Sequence, residues 1–126
     1  MQIDGPALLV AVPGRLRDGW QALLKAMPQI SDVQQADDLP SAWRTLDSQR
    51  FGLVILDAGS FGAGAWNLLR EIKASKPQCR CIVLVCNSWQ EQDAWLAGAD
   101  EVLLRGFTVR EMFAAVVRLF LEGSNT

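Results

Sequence analysis

The strongest constraint on the fold is an alternation between two apolar patterns, which repeats five times along the chain. Short continuous apolar runs are typical of strands that are buried on both faces of a sheet. Four such runs predict strands over residues 7–12, 53–56, 81–86 and 102–104, and a further strand is placed around residues 32–35, between the first two helices. Between these runs the apolar residues recur at helical spacing, as in Leu16, Trp20, Leu23, Leu24 and Met27. The alternation therefore predicts five strand–helix pairs.

Capping and breaking residues indicate where the helices begin and end. Pro28 ends the first helix, Pro40 lies in the first turn of the second, and Pro77 follows the third. The segment from Ala58 to Ala65 contains three glycines and is predicted to be a loop. The spacings Ser88-x-x-Glu91 and Thr108-x-x-Glu111 predict capping boxes that open the last two helices, which end at Gly98 and near Gly123.

Five such pairs predict an α/β fold, with a parallel sheet covered by helices on both faces. Ligands of such sheets bind beyond the carboxyl ends of the strands, where the strand order reverses. Asp57 directly follows the predicted strand from Leu53 to Leu56. We therefore expect Asp57 to lie at this carboxyl edge.

Composition excludes several classes of function. The 126 residues are expected to form one domain, residues 1–126, and half of them are apolar. The chain has no histidine, which excludes imidazole acid–base catalysis and histidine metal sites. A net charge of −2 without a basic cluster argues against direct nucleic-acid binding. No signal peptide or membrane span is predicted.

The three cysteines, Cys79, Cys81 and Cys86, lie in one apolar segment. A Cys-x-Cys pair without a second ligand pair is a weak metal signal, so we expect small buried apolar residues. A reactive or metal-binding thiol is the alternative. Free thiols fit a reducing cytoplasm.

Several landmarks occur in the order and spacing of a known family. Val54-Ile55-Leu56-Asp57 is a strand that ends in an aspartate, and Gly62 lies in the following segment. Gly98-Ala99-Asp100 and Leu103-Leu104-Arg105-Gly106 flank the fifth strand. With these landmarks the chain resembles, over nearly its whole length, a response-regulator receiver domain of the CheY-like superfamily. Arg17-Asp18-Gly19-Trp20 is similar to the first helix of the LuxR-type branch.

The resemblance implies a flavodoxin-like (βα)5 doubly wound fold with strand order 2-1-3-4-5. It also implies that Asp57 is the candidate phosphoacceptor and that the carbonyl of Gly59 is a Mg²⁺ ligand. The acidic pair of the family aligns with Ala11 and Val12, or with Val12 and Pro13 after a shift of one residue. The Ser/Thr position aligns with Val85, followed by Cys86. The lysine aligns with Arg105, and the switch aromatic with Val102.

These replacements predict a degenerate receiver. Mg²⁺ prefers an octahedral set of oxygen ligands, and neither alignment supplies a carboxylate after the first strand. We expect Mg²⁺ binding to be lost or weak, with no other cofactor and no enzymatic activity. Asp57 has a purely structural alternative, because a carboxylate at a strand end can cap the next segment or pair with a cation. Arg105 can supply that cation, and we expect a direct or water-mediated contact with Asp57.

The last helix carries more apolar residues than one buried stripe requires. Burial against the sheet explains part of this excess, and a contact surface is the other explanation. The resemblance adds that receivers use their last two helices for partner contacts. The candidates for such a surface are Val102, Met112, Phe113, Leu119 and Phe120. The expected partner is another protein, an adjoining effector domain or a second copy of the chain.

Three hypotheses about function follow. The favoured one is a pseudo-receiver, a protein-interaction module whose output is largely independent of aspartyl phosphorylation. The second is a phosphorelay receiver that is phosphorylated on Asp57. The third, a flavodoxin-like binder of a nucleotide or flavin, depends on backbone N–H groups between Gly59 and Gly64, which lack a known phosphate-binding motif.

Overall fold

A computed structural model describes residues 3–124, with side chains described from Ile3 to Leu119. Its five strands form one parallel sheet in the order β2-β1-β3-β4-β5. The strands are β1 Ala7–Val10, β2 Val33–Ala36, β3 Leu53–Asp57, β4 Arg80–Val85 and β5 Glu101–Leu104. The predicted α/β fold and its strand order are confirmed.

Six helices connect and follow the strands. They are α1 Arg15–Lys25, α2 Leu39–Ser48, α3 Ala58–Phe61, α4 Gly64–Ser75, α5 Ser88–Ala97 and α6 Val109–Ser124. Helix α3 corrects the predicted loop, because Asp57 caps its first turn through the N–H of Gly59. The local cap therefore outweighs the low helix propensity of the glycines in this segment.

The two apolar cores lie on opposite faces of the sheet. On one face, α1 and α6 cover alternate residues of the central strands, including Leu9, Ile55 and Leu84. On the other face, α2, α4 and α5 cover the residues between them, including Val54 and Val83. Burial on both faces explains why these strands are continuously apolar.

The start of α5 differs from the predicted capping box by one residue. Asn87, and not Ser88, is the N-cap, and its side chain accepts a hydrogen bond from the N–H of Gln90 at 2.9 Å. Thr108 caps α6 as expected, because its hydroxyl accepts from the N–H of Glu111 at 3.1 Å. Among the described helices, none combines the length and apolar character that a membrane crossing needs.

Candidate functional site

Asp57 is the last residue of β3 and is 1% exposed. Within the described part of the chain it is the one charged side chain that is buried in the core. The parallel register pairs it with Leu84 of β4, which brings the carboxylate to the carboxyl edge of the sheet. A carboxylate at this depth needs hydrogen-bond donors to offset its desolvation.

Three donors surround the Asp57 carboxylate. Oδ2 accepts from Nη2 of Arg105 at 2.6 Å and from the hydroxyl of Ser60 at 2.5 Å. Oδ1 accepts from the backbone N–H of Gly59 at 3.2 Å. The expected contact between Asp57 and Arg105 is therefore present and direct. The carboxylate is an ion-pair partner and a helix cap at the same time.

Arg105 follows β5, and its guanidinium is held by its neighbours. Its Cζ lies 5.9 Å from the ring centroid of Trp20, which stacks on Phe107 at 6.3 Å. On the other side, a Cβ added to Gly59 would lie 2.9 Å from the same Cζ. The lack of a side chain at Gly59 therefore lets the guanidinium reach Asp57.

Ala11, Val12 and Pro13 are the residues aligned with the acidic pair, and their side chains have no oxygen atom that could bind a metal ion. Ala11 is buried, and its N–H extends the sheet by donating to the carbonyl of Ala36. Val12 and Pro13 line a cleft of about 380 Å³ beside Asp57. We call this space the Asp57 cleft; it is lined by residues 12–17 and by Trp20, Asp57, Gly59, Ser60 and Arg105.

The donor chemistry of the Asp57 cleft does not fit Mg²⁺. Its lining includes one carboxylate, which already pairs with Arg105, and three arginines. Mg²⁺ needs oxygen ligands, and nearby guanidinium groups repel it. In the part of the chain that the structure describes, no three His, Cys, Asp or Glu side chains cluster as metal ligands.

The two residues aligned with the Ser/Thr position lie on opposite faces of the sheet. Val85 ends β4 at the carboxyl edge of the sheet, and its side chain is buried in the core under α2, α4 and α5. Cys86 is exposed, and its sulfur would lie 2.7 Å from a Cβ on Gly59. Side chains alternate along a strand, so Cys86 is the residue that comes to the Asp57 side.

Only two of the three cysteines are buried as expected. Cys79 and Cys81 lie in the core, whereas Cys86 is exposed because β4 ends at Val85. The hydrogen bond with Cys79, together with burial, raises the pKa of the Cys81 thiol well above its usual value. Cys81 is therefore held as an unreactive thiol.

The candidates for a contact surface separate into buried and accessible residues. Met112 and Leu119 belong to the core between α6 and the sheet, so their assignment to a surface is wrong. Phe113 is 43% exposed, and Val102 is half-buried in a groove of about 460 Å³ between α5, β5 and α6. The side chain of Phe120 lies outside the described residues.

Sequence reasoning did not identify Ser60, Trp20, Arg15 or Arg17 as parts of the site. The spacing Asp57-x-x-Ser60 is a capping pattern and could have indicated the hydroxyl contact. Trp20 belongs to a helical apolar stripe, and that pattern does not indicate that a guanidinium lies over its ring. The two arginines come to the cleft only because α1 starts at the carboxyl edge of the sheet.

Comparison with known proteins supports the fold. The sequence matches no protein-family model and no curated protein. The signal receiver domain of an HD domain-containing protein from Pseudomonas fluorescens Pf-5 superposes with a TM-score of 0.81 at 20% identity, over 98% of this chain and 100% of that chain. A CheY-like response regulator receiver domain protein from Methanospirillum hungatei JF-1 gives a TM-score of 0.81 at 14% identity, over 97% and 98% of the two chains. The receiver domain of NtrX from Brucella abortus gives 0.78 at 22% identity, over 89% and 95%.

The fold is therefore that of response-regulator receiver domains. At the carboxyl edge of this fold, Arg105 and Asp57 form an ion pair.

Proposed function

We propose that the chain is a pseudo-receiver, a cytoplasmic signalling module that acts through protein contacts and not through aspartyl phosphorylation. It would be a non-enzymatic domain that binds no nucleic acid directly. The sequence Arg17-Asp18-Gly19-Trp20 supports a relationship to the LuxR-type branch. The three free cysteines support a reducing compartment.

The ion pair between Arg105 and Asp57 is the observation that carries this proposal. Attack on a phosphodonor needs electron density on a carboxylate oxygen, and the three donors on Asp57, one of them a guanidinium, lower the nucleophilicity of that carboxylate. Phosphoryl transfer also spreads negative charge, which a bound metal must help to neutralise. Val12 and Pro13 provide no carboxylate for that metal.

The loss of metal affinity can be estimated from the missing ligands. Each lost charge-assisted contact costs about 1.5–3 kcal/mol. Two missing carboxylates therefore weaken Mg²⁺ binding by roughly a hundredfold or more. The positive charge of Arg105 weakens it further.

Exposed apolar side chains on the last two helices support a protein partner. Trp89 and Leu96 of α5 are 78% and 85% exposed, and Val109 and Phe113 of α6 are also accessible. Such residues favour contact with another protein, an adjoining effector domain or a second copy of the chain.

Incubation with Mg²⁺ and acetyl phosphate, followed by intact mass measurement, tests the proposal. We expect no mass increase, and the same result for an Asp57→Asn control. A gain of one phosphoryl group that Asp57→Asn abolishes would instead establish the chain as a phosphorelay receiver. Visible absorbance of the purified protein would reveal a bound flavin, which the proposal does not include.

A further inference from the structure

We propose that the Asp57 cleft is an anion site, which binds a small phosphate-bearing ligand non-covalently through Arg15, Arg17 and the amino end of α1. This goes beyond the proposed function, because it assigns a ligand to the place where a receiver would hold a cation.

The charge of the cleft lining is the first observation. The lining includes three arginines and one carboxylate, and that carboxylate is neutralised by Arg105 at 2.6 Å. Arg15 is exposed and has no ion-pair or hydrogen-bond partner among the described residues. Positive charge on Arg15 is therefore available to a ligand in the cleft.

Arg17 is the second observation, because it is largely buried and only partly bonded. Its Nη1 donates to the carboxylate of Asp37 and to the carbonyl of Ala11, and the side chain is 12% exposed. Its Nε–H is buried and has no hydrogen-bond partner in the described structure. A buried donor without a partner is costly, and an acceptor in the cleft would remove that cost.

The amino end of α1 adds backbone donors to the same place. The first hydrogen bond of this helix joins the N–H of Asp18 to the carbonyl of Gly14. The N–H groups of Arg15, Leu16 and Arg17 therefore have no acceptor within the helix, and no side chain caps them. Anions bind at such helix ends because the N–H groups and the helix dipole both favour negative charge.

The apolar part of the lining indicates what else the ligand carries. Val12 and Leu16 line the cleft and are half exposed, and Trp20 contributes part of its ring. The volume of about 380 Å³ lies within the usual range of small-molecule pockets, roughly 300–1,000 Å³. Phosphate next to an apolar or planar group fits this lining, and a nucleotide has that combination.

Calorimetric titration of the full chain in EDTA tests the site, with ADP, pyrophosphate and adenosine as probes. We expect ADP and pyrophosphate to bind and adenosine not to bind. Arg15→Gln should weaken pyrophosphate binding about tenfold or more, the effect of losing one charge-assisted contact. Arg44→Gln, the same change on an exposed arginine of α2, should leave binding unaltered.

An Asp57→Asn variant separates this site from phosphorylation chemistry. Removal of the carboxylate frees Arg105, so pyrophosphate should bind more tightly than to the parent chain. The proposal is wrong if neither ADP nor pyrophosphate binds at millimolar concentration. It is equally wrong if Arg15→Gln and Arg44→Gln have the same effect, or if Asp57→Asn abolishes binding.

Discussion

Asp57 makes several structural contacts at the carboxyl edge of the sheet. Its carboxylate is buried, ends β3, caps α3 and pairs with Arg105. Replacing it would leave the Gly59 N–H, the Ser60 hydroxyl and a guanidinium without their acceptor. These contacts give Asp57 a structural role at the end of β3.

A double-mutant cycle measures the coupling between Asp57 and Arg105. We expect Arg105→Ala to lower the free energy of unfolding by about 1–3 kcal/mol, because it leaves a buried hydrogen-bonding group unpaired. Asp57→Ala should also destabilise, and the double variant should cost less than the sum of the two. Strict additivity in urea denaturation would show that the two residues do not interact.

Gly59 and Gly19 form a matched pair for testing how tightly the site is packed. A Cβ on Gly59 would lie 2.7 Å from the sulfur of Cys86 and 2.9 Å from Arg105 Cζ, whereas a Cβ on Gly19 would meet nothing within 4 Å. We expect Gly59→Ala to destabilise by about 1–3 kcal/mol, because Arg105 must move away from Asp57 and leave that buried carboxylate without its ion-pair partner. Gly19→Ala, inside α1, should stabilise by about 0.5–1 kcal/mol. Thermal unfolding of both variants gives the signs, and a stable Gly59→Ala protein would contradict the described packing.

At the scale of elements, the strands could be predicted and several details of the site could not. The buried strands could be predicted because helices cover both faces of the central sheet, so each of these strands contains a continuous apolar run. Helix α3 was missed because glycine content reports propensity but not the cap that Asp57 provides. The exposure of Cys86 was missed because strand ends are uncertain by a residue or two in any sequence pattern.

The apolar residues of α6 also show that a sequence pattern does not predict which side chains are exposed. Met112, Val116 and Leu119 are buried against the sheet, so part of the apparent excess belongs to the core. The spacing of the apolar residues identifies a helix. Because these residues extend around much of the helix, the spacing does not predict which of them remain exposed. Val109 and Phe113 are the accessible apolar residues of the described part of α6.

Phe113 and Met112 are neighbours that should respond in opposite ways to the same change. Phe113→Glu should leave the fold intact, with a change in unfolding free energy under about 1 kcal/mol, because its position is accessible. Met112→Glu should unfold the domain, because it buries an unpaired charge. If a second copy covers α6, sedimentation should show a concentration-dependent dimer that Phe113→Glu dissociates. A parent chain that is monomeric at all concentrations would rule out the second copy as partner.

In the whole molecule, the packing of the helices on the two faces of the sheet determines which side chains come together at its carboxyl edge. Helix α1 and the segment after β5 lie on the same face of the sheet, which brings Trp20 and Arg105 to Asp57. The fold is that of receiver domains, and the lining of this cleft includes three arginines and one carboxylate. We therefore expect that this cleft does not bind Mg²⁺.

Thermal unfolding in the presence of Mg²⁺ shows whether the cleft binds this ion. A ligand that binds the native state raises the melting temperature by mass action. We expect millimolar Mg²⁺ to leave the parent chain unchanged. A variant with Val12→Asp and Arg105→Lys, which restores a carboxylate at an exposed cleft position, should gain a saturable increase. A saturable increase in the parent chain itself would contradict the account.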